Sequence, residues 1–134
     1  MLEVYSKNVT VAPNSAIPLN TIAFVRGCAE KLSGAATIQF LRSGAYSVKV
    51  TCSAVASAAG DISIQLYKNG VAQPQAAQTV TAADTTSSYS LSLDTIVSVS
   101  QNGCKCCGND STNVTIVNTS DADVIFDIDV VVGS

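Results

Sequence analysis

The sequence predicts an all-β chain folded as a two-sheet antiparallel sandwich of eight to ten short strands, and three observations lead there. Apolar and polar residues alternate with a period of two along most of the chain, which puts every second side chain on one face of an extended strand. No window carries a 3.6-residue apolar stripe, and the β-branched and Thr-rich content favours strands. Turn residues punctuate the apolar runs at short intervals, which in a chain of 134 residues suits a sandwich or a jelly roll.

Taken in order, residues 1–16 read as an N-terminal segment, a strand or docking arm, in which Val9–Val11 is the strand candidate. Residues 17–134 read as one domain, with no internal repeat or linker. Ile17–Phe24 and Ala36–Leu41 are candidate strands, and Gly27–Leu32 is the best helix candidate, one turn long. From Tyr46 the alternation runs without a slip and sets Val48, Val50, Cys52 and Ala54 on one face. Ile62, Ile64 and Leu66 repeat it, and Lys68-Asn69-Gly70-Val71 then signals a hairpin, because Asn-Gly readily adopts two successive positive φ angles. Val71–Thr81, Tyr89–Leu93, Thr95–Ser100 and Asn113–Asn118 are further candidates. Last, Val124, Phe126, Ile128, Val130 and Val132 alternate with Ile125, Asp127, Asp129 and Val131.

Charged residues make up only 13% of the chain, about half the share usual in a soluble domain. So weakly charged a surface is expected to be buried in part against copies of itself. The net charge is −3, and the seven Lys and Arg are scattered, so no cluster tracks phosphates and nucleic acid is not expected as a partner. No apolar run reaches the ~20 residues of a membrane helix, and no membrane partner is expected. The segment MLEVYSKNVT lacks a basic start followed by an apolar block, so the expectation is a chain without a signal peptide, made inside the cell.

Several stretches resemble a known superfamily. FLRSGAYSVKVTCSAV, with Gly44-x-Tyr46, resembles the Gly-x-Tyr strand of the C1q/TNF-like jelly rolls. DISIQLYKNGVA resembles their next hairpin, SSYSLSLDTIVSVSQNG a later strand pair, and NVTIVNTSDADVIFDIDVVV the last two strands. The resemblance covers residues 17–132 and is one of pattern and turn placement. It is strongest to the bacterial and bacteriophage variant, which includes head-decoration and fibre-tip modules of tailed phages and C-terminal domains of spore-surface collagen-like glycoproteins. The chain departs from the spore proteins in having no Gly-x-y segment, and from typical members in its Cys-rich loop. The resemblance implies a homotrimeric jelly roll, with Tyr67, Val117, Ile125 and Val131 as candidates to face the trimer axis. Alternatively these four are ordinary second-layer residues of the sandwich.

Catalysis is not expected. The chain has no histidine, the usual general base of nucleophile triads, and only Lys105 sits beside a cysteine to lower its pKa. The carboxylates of Asp121-x-Asp123 and Asp127-x-Asp129 each share a strand face, with Cα atoms ~7 Å apart. They read first as solvent-side residues, and secondly as oxygen ligands for a cation such as Ca²⁺. The stretch QNGCKCCGND holds Cys104, Cys106 and Cys107, three of five cysteines. Free thiols, a disulfide formed in oxidising surroundings, or a metal shared across a trimer all stay open there, and no cofactor is expected. C-x-C-C is not a structural zinc spacing, although Cys28 or Cys52 would supply a fourth sulfur. Cys52 reads most simply as a small core residue. The N-x-S/T triplets at Asn8, Asn109, Asn113 and Asn118 read as chance in a chain rich in Asn, Ser and Thr.

Three functions follow from these readings. The first is a structural virion protein of a bacteriophage, made in the host bacterial cytoplasm, that decorates the capsid or forms a short head fibre as a trimer. Its partners would be itself and a capsid or other virion protein. The second is a spore- or cell-surface structural module of the same fold. The third is a carbohydrate- or receptor-binding module, disfavoured by the absence of Trp and the presence of only four Tyr.

Overall fold

A strand with one apolar face is stable only when that face meets another, and the alternating runs of this chain close accordingly into two packed sheets. The computed structural model describes residues 1–27, 29–99 and 112–133. Its strands are β1 (Leu2–Val11), β2 (Ser15–Ala16), β3 (Thr21–Val25), β4 (Glu30–Ser33), β5 (Thr37–Phe40), β6 (Gly44–Ala56), β7 (Gly60–Lys68), β8 (Val71–Ala82), β9 (Tyr89–Val99), β10 (Thr112–Asn118) and β11 (Val124–Gly133). One sheet has the order β3-β1-β11-β6-β9. The other runs β4-β5-β10-β7-β8, with β2 attached to β10. Every pairing is antiparallel, and the chain passes back and forth between the sheets as a jelly roll does.

The inner faces hold the alternating residues. Val48, Val50 and Ala54 of β6 are fully buried, as are Phe126, Val130 and Val132 of β11, and Ile64 and Ile116 from the opposite sheet pack into the same core. Tyr46 opens β6 at 3% exposure, its ring 4.6 Å from that of Phe40, and its hydroxyl donates to the Arg42 carbonyl. The β7–β8 hairpin turns at Asn69 and Gly70, with φ of 52° and 80°, the two positive angles expected of Asn-Gly. Burial pushes the Cys52 thiol up to about 12, so it carries almost no thiolate at neutral pH. Cys52 is therefore expected to resist iodoacetamide in the native protein and to react only after unfolding. Peptide mapping by mass spectrometry reads this, and ready native alkylation of Cys52 would contradict its place in the core.

Four sequence expectations are corrected. The strand expected at Val9–Val11 extends over the whole of Leu2–Val11 and lies inside a sheet, between β3 and β11. Residues 17–20 are not strand, although Ile17 and Leu19 are fully buried, and β3 begins only at Thr21. Within Gly27–Leu32, the best helix candidate, Glu30 instead starts β4 opposite Phe40. Tyr89–Leu93 and Thr95–Ser100 join in the single strand β9, which ends at Val99 among the described residues.

Glu30 is buried at 3% exposure. One of its carboxylate oxygens pairs with the Met1 α-ammonium, and the other has no hydrogen-bond partner among the described residues.

Candidate functional site

The outward residues of the five-stranded sheet form a lattice that the strand register specifies. One row crosses it as Phe24, Glu3, Val131, Lys49 and Asp94. The next reads Thr21, Tyr5, Asp129, Thr51 and Ser92, and a third Asp127, Ser53 and Ser90. Further rows bring Ile125 beside Thr10 and Val55, and Ser47 between Gly133 and Ile96. Most of these side chains are short, and Lys49 stands opposite Asp94 in the β6–β9 register.

Two backbone irregularities frame a hollow of about 560 Å³ on this face. On β3, Ala23 is an extra residue between the partners of Glu3 and Val4, a β-bulge that turns it toward the hollow. On β1, the register shifts between Ser6 and Val9. Asn8 takes a φ of 54° there, and its N–H donates to the Asp127 carboxylate at 2.7 Å. Tyr5, Lys7, Thr51, Ser53, Ser90 and the carboxyls of Glu3, Asp127 and Asp129 line the space between.

Glu3 and Asp129 are diagonal neighbours across the β1–β11 pair, since Glu3 faces Val131 and Tyr5 faces Asp129. The Asp129 carboxyl is pushed up to about 6, first by burial, then by its hydrogen bond to the Glu3 side chain and by the charge of that neighbour. Two neighbouring carboxyls cannot both ionise cheaply side by side, and here the cost is carried by Asp129. The sign follows: the folded chain retains a proton that the unfolded chain releases near 3.8, so this pair's contribution to stability falls as pH rises through 4 to 6.

The opposite face has a smaller hollow of about 230 Å³ lined by Asp61, Ser63, Thr79, Thr119, Ser120 and Asp121. Its hydroxyls are largely engaged with one another. Thr79 and Thr119 both donate to the Ser63 hydroxyl, at 3.1 and 2.8 Å, and Thr81 donates to Asp61.

The four axis candidates fall on two opposite outer faces. Tyr67 and Val117 lie on the six-stranded sheet, where Val117 is buried at 7% exposure beside β2 and presents little surface to a partner. Ile125, 41% exposed, and Val131 lie on the five-stranded sheet. One axis cannot be faced by both sides of a sandwich at once. Asp127 and Asp129 do share the outward face of β11, whereas Asp121 and Asp123 sit in the β10–β11 turn rather than on a strand. Among the described residues no group of three or more His, Cys, Asp or Glu side chains is placed to hold a metal ion. Cys104, Cys106, Cys107, Cys28 and Asn109 lie outside the described residues. Asn118 is fully buried and its amide is consumed in hydrogen bonds, so its triplet cannot accept a glycan in the folded chain. The Glu3–Asp129 pair escaped sequence reasoning, and its only sequence signal was a polar residue at an outward position of each strand.

No protein-family model matches the chain, and no curated protein matches it. Solved structures resemble it in fold. The PRD1 vertex protein P5 is similar at a TM-score of 0.57 and 16% identity, over 96% of this chain and 93% of that one. Rabbit GITRL is similar at a TM-score of 0.54 and 16% identity, over 94% and 95%. A family 35 carbohydrate-binding module from an environmental isolate, at 0.44 and 11% identity over 100% and 93%, is too loose a likeness to bear on the fold. The first two likenesses fit the two-sheet antiparallel jelly roll that the strand order shows.

Proposed function

We propose that this chain is a structural virion protein of a bacteriophage, without catalytic activity, that assembles as a homotrimer and decorates a capsid or heads a short fibre. The observation that carries the reading is the distribution of exposed apolar side chains. Phe24, Ile96 and Ile125 stand exposed on the outer face of the five-stranded sheet, while among the described strands of the other sheet only Val71 is a large exposed apolar residue. A sheet face of mostly short side chains with apolar residues near its borders desolvates at small cost, as an interface between copies requires. Ile125 and Val131 are then the two axis candidates available to that interface. The jelly-roll likeness to a vertex protein adds to the virion reading.

Multi-angle light scattering at micromolar concentration tests the assembly, with an expected mass about three times 13.7 kDa. A monomer at that concentration would remove the homotrimer. The virion role is tested by mass spectrometry of gradient-purified particles from a phage that carries the gene, where absence of the chain from the particles would refute it.

A further inference from the structure

A pair of neighbouring carboxyls stands near the middle of the face through which copies are proposed to meet. Glu3 and Asp129 come from adjacent strands as diagonal neighbours and line one hollow. The charged and titratable groups around them are Tyr5 and Lys7 on β1, Asp127 on β11, Lys49 on β6 and Asp94 on β9, whereas Thr21–Val25 of β3 contributes none. Lys49 and Asp94 stand opposite each other in the register, and Asp127 accepts the Asn8 N–H. Among the described residues neither Glu3 nor Asp129 forms an ion pair with a cation. When fully ionised the pair places two like charges together on a surface that a second copy would strip of water, and desolvation favours the protonated form.

We propose that association of copies through the outer face of the five-stranded sheet takes up protons at the Glu3–Asp129 pair, so that the assembly is tighter in mildly acid than in neutral or alkaline solution. This rests on the reading that the chain self-associates through that face. Linkage makes the effect reciprocal: if association favours the protonated pair, protonation strengthens association by the same factor. Each unit by which association raises the pair's affinity for its proton is worth about tenfold in the association constant, and a symmetric trimer carries three pairs. The chain has no histidine, so no ordinary side chain titrates between about pH 5 and pH 7.5 to produce such a dependence.

The test is dilution of the intact chain, followed by light scattering or sedimentation, at about pH 5 and about pH 7.5. Wild type is compared with Glu3→Gln, with Asp129→Asn and with the double variant, each checked for its β signal by circular dichroism. The expected result is a half-dissociation concentration for wild type at least roughly tenfold lower at the acid pH. The double variant, neutral at both pH values, should lose the dependence and stay as tight at pH 7.5 as wild type is at pH 5. Each single variant should show a reduced slope, so the inference does not hang on the folding of any one protein. A wild-type assembly insensitive to pH, or variants that keep the wild-type slope, would overturn the proton linkage while leaving self-association intact. A chain monomeric at both pH values and all concentrations would overturn self-association itself, and the linkage with it.

Discussion

Val50→Asp abolishes folding, and its circular dichroism at 25 °C is expected to lack the β signal of wild type. Val50 is fully buried in the middle of β6, between Val130 on one neighbouring strand and Leu93 on the other. A carboxylate there has no cation or donor to receive it. Burying even a neutral polar group without a partner costs roughly 2–7 kcal/mol, and an ionised one costs more. Against a total stability of about 5–15 kcal/mol, that loss unfolds most of the population. The neighbouring Lys49 points the other way and is exposed, so Lys49→Asp tests the alternation itself. It sets a second carboxylate opposite Asp94 and should cost no more than about 1 kcal/mol. Equal damage from the two substitutions, or a folded Val50→Asp, would show that the assignment of inner and outer faces is wrong.

The second large effect is expected at Asn118, the last residue of β10. It is fully buried, and its side-chain amide donates to the Val11 carbonyl at 3.0 Å and more distantly to the carbonyls of Ala12 and Ala122. Its side-chain oxygen accepts the Ser120 N–H at 3.1 Å. One side chain thus ties the end of β1 to the turn that leads into β11. Asn118→Leu preserves the size but leaves those backbone groups buried and unpaired, at a cost of about 3 kcal/mol. Urea unfolding reads this as a lower midpoint with an unchanged slope. Asn113→Ala, at an exposed position of the same strand, should stay within about 0.5 kcal/mol of wild type. If Asn118→Leu shifted the midpoint no more than Asn113→Ala does, the hydrogen bonds drawn here would not be holding the turn.

The strands that could be read from the residues are those whose inward positions are filled without exception. β6, β7 and β11 bury every second residue over most of their length, and their apolar alternation is correspondingly unbroken. Where a strand departs from that rule, the reading shortened or divided it. β1 carries the buried Ser6 and then the Lys7–Asn8 irregularity, so its alternation stops midway and only Val9–Val11 stood out. In β9 the polar Thr95 occupies the inward position between Leu93 and Val97, which split one strand into two apparent runs. Ile17 and Leu19 alternate as strand residues do and are buried as strand residues are, yet they lie in an irregular segment. Burial alone sets that pattern, and burial does not require a ladder.

The residues themselves therefore determined the class of fold, the faces of the regular strands and the Asn69-Gly70 turn, because each depends on neighbours a few positions away. Only the tertiary structure decided which strands lie side by side, and with them everything that belongs to a sheet face. Glu3 and Asp129 stand at opposite ends of the chain and line one hollow solely because β1 lies against β11. Tyr67 and Val117 are separated from Ile125 and Val131 by the thickness of the sandwich because β7 and β10 entered one sheet and β11 the other. A period of two says that a side chain points away from the core. It cannot say from which sheet, because antiparallel pairing between distant segments leaves no mark in either segment alone.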